Sequence, residues 1–167
     1  LVRAILPPVL LELTDDQTLI GLSQDTEAQA LVIPQPEERS TYPVVGVIDS
    51  GVSSVLDDWI IGRFDYLSQG EYDLLHGTNV AGLISVGQLV NGPTVVAEAN
   101  GCHLYDIPLY PNGPFMAKYP KGFSDFLEEI EQAVAEAKEQ HGVRIFNLSI
   151  NAVAAVERHR YSIYASR

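Results

Sequence analysis

Asp49 stands at an unusual place in the sequence, because it directly follows the apolar and glycine run VVGVI at 44–48 and precedes Ser-Gly. An all-apolar run is typical of a strand buried on both faces, so we expect Asp49 where a buried strand ends. A carboxylate there needs a partner. Three roles are open: a helix-cap or turn residue, one half of a paired-aspartate protease site, or the acidic member of a Ser/His/Asp triad.

The second candidate residue is His76, which begins the stretch HGTNVAG at 76–82. Apolar and small residues continue at helical spacing, which predicts a helix opened by His76. A hydrogen bond from one ring nitrogen to Asp49 would fix the tautomer, so that the other nitrogen could accept a serine proton. Glycines at Gly51 and Gly77 would allow a sharp exit from the strand and a close backbone approach. The pair therefore favours an Asp–His relay.

The segments around these two residues predict strands that alternate with helices. A short helix is expected at 53–60, and the clearest helix covers 124–141. Strand–helix alternation implies right-handed crossovers and a parallel sheet, so the expected fold class is α/β with helices on both faces. The predicted strands are 44–48, 62–68, 102–110 and 143–150.

The helix at 124–141 has the strongest pattern in the sequence. Ser124 is the expected N-cap, acidic residues occupy the first turn, and Gly142 follows the end. One apolar stripe is expected to face the sheet. Its members are Phe126, Leu127, Ile130, Ala133, Val134 and Ala137.

Composition excludes several classes of function. The formal charge of −12 argues against nucleic acid as a partner, because such affinity comes chiefly from clustered Lys and Arg. No apolar stretch approaches the length of about 18 residues that a membrane span needs, so we expect no membrane insertion. Cys102 is the single cysteine, which excludes an intrachain disulfide and favours a buried, inert thiol.

At the two candidate residues the sequence resembles the subtilisin-like serine proteases. The family's Asp motif, Asp-Ser/Thr-Gly after a Val/Ile-rich strand, matches Val47–Gly51. The His motif, His-Gly-Thr-x-Val-Ala-Gly, matches His76–Gly82. The later RIFNLSI at 144–150 is similar to the family's apolar strand that ends in Asn-x-Ser. The resemblance covers residues 43–151.

This resemblance implies a serine endopeptidase with a subtilisin-like parallel sheet. It implies that Asp49 orients His76 and that His76 is the general base. It also implies that Ser149, Ile150 and Asn151 line the substrate cleft and offer main-chain groups to a peptide bound as an extra strand.

The sequence departs from the family pattern in three places. Asn79 stands where many relatives have a second histidine that is not a triad member, and Asn151 stands where glycine is usual, which would narrow the first specificity pocket. The nucleophile motif Gly-Thr-Ser-x-Ala and the oxyanion asparagine are absent. Ser149, Ser162 and Ser166 lie in no such motif. We therefore expect the serine outside this chain, and no peptidase activity from the chain alone.

For the chain as a whole, we expect a lead-in segment at 1–42 and the N-terminal portion of a peptidase domain at 43–167, without its C-terminal part. The expected partners are a protein or peptide substrate and either the remainder of the domain or a second copy that pairs at an exposed sheet edge. The single cysteine, the acidic charge and the lack of a signal-like leader favour an intracellular enzyme.

No cofactor is expected. His103, His141 and His159 have no partners at metal-ligand spacing. The pairs Asp15-Asp16 and Asp57-Asp58 lack the dense pattern of oxygen ligands that calcium needs, so we expect no metal site. Two alternatives remain open: a subtilase-like binding module or pseudoprotease that lacks the serine and, more distantly, an aspartic protease, which would need a second Asp-Ser/Thr-Gly copy in a β-rich fold.

Overall fold

The computed structural model describes residues 33–68, 70–87 and 101–149. Within these ranges, four strands form one all-parallel sheet with the order β2-β3-β1-β4. A parallel sheet with intervening helices confirms the predicted α/β class. The strands are β1 Val44–Asp49, β2 Ile60–Arg63, β3 His103–Pro108 and β4 Ile145–Leu148.

Helical segments separate most of these strands, and the longest one leads into β4. Among the described residues, none of the helices is both long and apolar enough to cross a membrane. The segments are a 3-10 helix at Ser54–Trp59, α1 Leu74–Ser85, α2 Phe115–Lys118 and α3 Phe123–His141.

The central strand β1 is buried on both faces, as its apolar sequence predicted. Its consecutive residues Val47 and Ile48 belong to different apolar clusters. Ile48 packs with residues of α3, whereas Val47 packs with residues of α1 and the 3-10 helix. Helices therefore cover both faces of the sheet. The α3 contacts are made chiefly by Phe126, Ala133 and Ala137, three members of the predicted stripe.

Helix α1 begins at Leu74, so the prediction that His76 opens it is wrong by two residues. The reason is Asp73, whose side chain accepts a hydrogen bond of 3.2 Å from the Leu75 amide and caps the helix. The shift places His76 inside the first turn, where the helix backbone holds its Cα firmly.

Strand β2 ends at Arg63, whereas the alternation of aromatic residues predicted a strand over 62–68. The Phe64 amide still donates to the Asp106 carbonyl at 2.8 Å, but the chain then leaves the sheet. Phe64 instead stacks on Tyr66, and Tyr66 stacks on Tyr119. The alternation therefore reflects aromatic packing rather than a longer strand.

Ser124 is not the N-cap of α3, because the helix begins at Phe123 and its cap is Gly122 with φ 65°. The neighbouring Asp125 carboxylate accepts a 2.8 Å hydrogen bond from the Lys121 amide. At the other end Gly142 adopts the left-handed conformation with φ 65°, as predicted for a C-terminal glycine.

The described end of the lead-in segment contacts the sheet domain through Trp59. The indole N–H of Trp59 donates to the Pro34 carbonyl at 2.8 Å, and the Tyr42 ring meets the indole edge-on at a centroid distance of 5.1 Å. Ile33 packs against the same cluster. Residues 33–42 therefore contribute to the core on this face.

Strand β4 lies at the edge of the described sheet, where it pairs with β1 on one side only. Its Phe146 ring lies over Gly46, where a Cβ atom would come within 2.5 Å of the ring. Ile145 is 58% exposed, and Leu148 is also exposed. A strand edge beside exposed apolar side chains is prone to pair with another chain.

We predict that the chain associates in a concentration-dependent way and that Ile145→Lys reduces this association, because a charge on an edge strand opposes pairing. Light scattering across a concentration series measures the effect. Val55→Lys is the matched control, since Val55 is 56% exposed but lies on the 3-10 helix. A wild-type chain that stays monomeric at high concentration would contradict the prediction.

Cys102 is buried, as the sequence predicted, and its Sγ lies 3.4 Å from the Ile84 carbonyl oxygen. Burial raises the pKa of the Cys102 thiol to about 11, so the reactive thiolate is scarce at neutral pH.

We predict that iodoacetamide labels the native chain far more slowly than the urea-unfolded chain. Equal labelling rates, measured by mass spectrometry at pH 7.5, would show that this thiol is accessible.

Candidate active site

Asp49 ends β1 at the carboxyl edge of the sheet, and only 2% of its surface is exposed. Its Oδ1 atom accepts hydrogen bonds from the Ser50 amide at 2.7 Å and the Ser50 hydroxyl at 3.1 Å. Its backbone carbonyl accepts from the amides of Leu109 and Tyr110 at 2.9 and 3.0 Å. Hydrogen bonds thus hold both the side chain and the main chain of Asp49, and the main-chain bonds join the end of β1 to the residues that follow β3.

His76 lies against this carboxylate, as the sequence predicted. Its Nδ1 atom is 2.8 Å from Oδ1 and 3.0 Å from Oδ2 of Asp49. A carboxylate can only accept, so Nδ1 carries the proton and the neutral ring has its lone pair on Nε2. Nε2 makes no hydrogen bond within the described part of the chain, and 59% of the His76 side chain is exposed. Within the described ranges, no residue takes up the position that a reactant would need at this nitrogen.

A direct backbone contact places helix α1 beside the turn that follows Asp49. A Cβ atom on Gly77 would lie 2.3 Å from the Gly51 carbonyl oxygen, so only glycine allows this approach. Gly51 itself has φ 110°, in the region that favours glycine. These two glycines set the distance between the strand end and the helix that carries His76.

Hydrogen bonds join the same turn to α1. The Ser53 amide donates to the Thr78 hydroxyl at 2.9 Å, and the Gly77 amide donates to the Ser50 hydroxyl at 3.3 Å. The Ser50 hydroxyl also contacts the Asp73 carbonyl oxygen. Asp49 and His76 are called the dyad below. The Ser-Gly residues after Asp49 and the Gly-Thr residues after His76 therefore connect β1 with α1.

An ion pair that the sequence pattern did not single out contacts the turn that follows Asp49. Arg63 Nε donates to Asp106 Oδ2 at 2.7 Å, and Arg63 Nη2 donates to the Val52 carbonyl at 2.7 Å. Asp106 Oδ2 also accepts from the Val52 amide at 3.1 Å. The available signal was an aspartate inside the apolar stretch CHLYDIPLY, where a charge needs a buried partner.

Asp106 is fully buried, and its Oδ1 atom has no hydrogen-bond partner among the described residues. Burial raises the pKa of the Asp106 carboxyl, and the Arg63 guanidinium opposes that rise. Asp49 adds a smaller unfavourable charge interaction. Arg63 is thus the cation that allows a second carboxylate to lie near the dyad.

The structure describes one of the three predicted substrate residues. Ser149 directly follows Leu148, the last residue of β4, and Leu148 pairs with Ile48, the residue before Asp49. Its hydroxyl accepts a 2.7 Å hydrogen bond from Asn147 Nδ2. Ile150 and Asn151 lie outside the described residues.

The remaining described histidines lie away from the dyad. His103 contacts the rings of Tyr42 and Trp59, and His141 lies against Tyr105. Over 33–68, 70–87 and 101–149, no group of three His, Cys, Asp or Glu side chains is arranged to hold a metal ion.

A scan against protein-family models, a search of curated proteins and a search of solved structures each returned no match. The motifs around Asp49 and His76 and the contact between the two side chains are therefore the features that indicate a function.

We predict that Gly77→Ala lowers the free energy of unfolding by about 3 kcal/mol, because the new methyl group overlaps the Gly51 backbone, which cannot rotate away. Gly82→Ala is the control in the same helix, since a Cβ there meets nothing within 4 Å. That control should gain about 0.5–1 kcal/mol from helix propensity. Urea unfolding of both variants measures the difference, and equal stabilities would contradict the close contact.

Proposed function

We propose that the chain supplies the aspartate and histidine of a subtilisin-like serine endopeptidase. The observation that carries this proposal is the contact of Asp49 with His76 Nδ1, in a side chain that is 59% exposed and whose Nε2 makes no hydrogen bond in the described part of the chain. This is the arrangement that a hydroxyl nucleophile needs from its general base. The two motifs that surround the residues support the same proposal.

The proposed reaction assigns a separate role to each residue. The nucleophilic serine, which comes from outside this chain, gives its proton to His76 Nε2 as its oxygen attacks the peptide carbonyl carbon. The resulting imidazolium is stabilised by the Asp49 carboxylate, which stays ionised. His76 then gives the proton to the departing amine, and the acyl-enzyme ester remains. Water repeats the sequence and releases the acid.

The sheet topology supports a substrate site next to the dyad. The strands β1 and β3 are neighbours, and the chain leaves β1 towards the 3-10 helix on one face of the sheet and leaves β3 towards α3 on the other face. In open parallel sheets, ligands bind outside the carboxyl ends of strands at such a point. Asp49 lies at this point, at the end of β1. We propose that the main chain of Ser149, Ile150 and Asn151 pairs with a peptide there.

A non-catalytic binding module is the second candidate function. The favouring observation is that no serine hydroxyl among the described residues is hydrogen-bonded to His76 Nε2. Whether a serine from elsewhere completes the site distinguishes the two candidates. An aspartic protease is disfavoured, because the described sheet is parallel and Asp49 pairs with a histidine rather than with a second aspartate.

A fluorophosphonate probe, which labels only activated serines, tests the proposal in the complete enzyme. We predict that His76→Ala abolishes labelling and that Asp49→Asn lowers peptide turnover by about 10⁴-fold, because the tautomer is no longer fixed. Lys121→Gln is a suitable control, since the Lys121 ammonium group lies at the surface, 3.6 Å from an Asp125 carboxylate oxygen, and the backbone hydrogen bond of Lys121 is kept. Undiminished labelling of His76→Ala would exclude the triad, and an unlabelled wild type would favour the binding module.

A further inference from the structure

We propose that Arg63 and Asp106 act together as a positioning pair that holds the turn after Asp49 and thereby sets the geometry between Asp49 and His76. This inference rests on the proposed role of the dyad and adds two positioning residues to it. Neither residue touches the His76 ring, so they act through the backbone of the turn.

The pair holds both backbone polar groups of Val52. The amide of Val52 donates to Asp106 Oδ2 at 3.1 Å, and its carbonyl accepts from Arg63 Nη2 at 2.7 Å. Val52 is buried, so neither group could find water if the pair were lost. The ion pair closes the ring with its own 2.7 Å contact.

The opposite side of the same turn contacts α1. Gly51 meets Gly77, the residue after His76, and the Ser53 amide donates to Thr78 at 2.9 Å. The turn therefore lies between the ion pair, which comes from β2 and β3, and the helix that carries His76. A turn that shifts away from the ion pair must also change its contact with this helix.

Charge gives a second reason for the pairing. Asp106 is a fully buried carboxylate on β3, the strand next to β1, and it repels the Asp49 carboxylate at the end of β1. Arg63 compensates Asp106, so that Asp49 remains the uncompensated carboxylate facing His76. Replacing Arg63 with a neutral residue leaves a second buried negative charge and an unsatisfied Val52 carbonyl.

The test uses ¹⁵N NMR of the 167-residue chain with labelled histidine, at a pH where the rings are neutral. His76 is assigned from the signal that His76→Gln removes. In the wild type we expect the Nδ1–H tautomer for His76, and in Arg63→Gln we expect loss of that signal. Amide exchange at Val52 should become faster by roughly tenfold or more in the same variant.

Two further variants separate positioning from general stability. Ala137→Gly destabilises α3 on the other face of the sheet and should leave both readouts unchanged. Arg63→Lys keeps the charge but not the planar fork of the guanidinium group, so this variant should show part of the Nδ1–H signal that Arg63→Gln loses. If Arg63→Gln does not fold, Arg63→Lys takes its place in the comparison with the wild type.

The outcomes distinguish the two proposals. A folded Arg63→Gln variant with the full Nδ1–H signal and unchanged Val52 exchange overturns the positioning pair alone. A wild type that lacks the Nδ1–H tautomer at His76 overturns the dyad and, with it, the proposed function.

Discussion

The burial of the Asp49 carboxylate is the constraint on which the rest of this site depends. A buried charge at the end of a strand is costly unless hydrogen bonds and an adjacent donor replace water. Ser50 and His76 supply these donors, and the Asp49 carbonyl in turn holds the chain that leaves β3. Because each bond serves both the fold and the dyad, the strand end is rigid where a general base would need a fixed orientation.

Close packing of backbone on backbone then decides where the histidine lies. The contact of Gly77 with Gly51 brings α1 nearer to the turn than any side chain would allow, and Thr78 bonds the turn from the same helix. Asp73 fixes the start of the helix, so His76 has a defined place within its first turn. Gly51 and Gly77 therefore set the distance between the turn and α1, and Thr78 joins the two by a hydrogen bond.

A second buried carboxylate, Asp106, holds the turn that follows Asp49. Asp106 is acceptable inside the sheet only because Arg63 and the Val52 amide share its Oδ2 atom. The same groups satisfy the backbone of the turn. One ion pair between β2 and β3 thus connects the sheet interior to a surface-exposed imidazole without touching it.

Local periodicity was enough to predict the apolar strand before Asp49, the helix of small residues that carries His76, and the long amphipathic helix, and with them the α/β class. The sequence also pointed to Asp49 and His76 as a pair. Periodicity did not predict that Phe64 and Tyr66 stack rather than extend β2, that Gly122 rather than Ser124 caps α3, or that Arg63 reaches Asp106. Those outcomes depend on contacts between residues distant in sequence or on backbone angles set by packing, which local patterns do not encode.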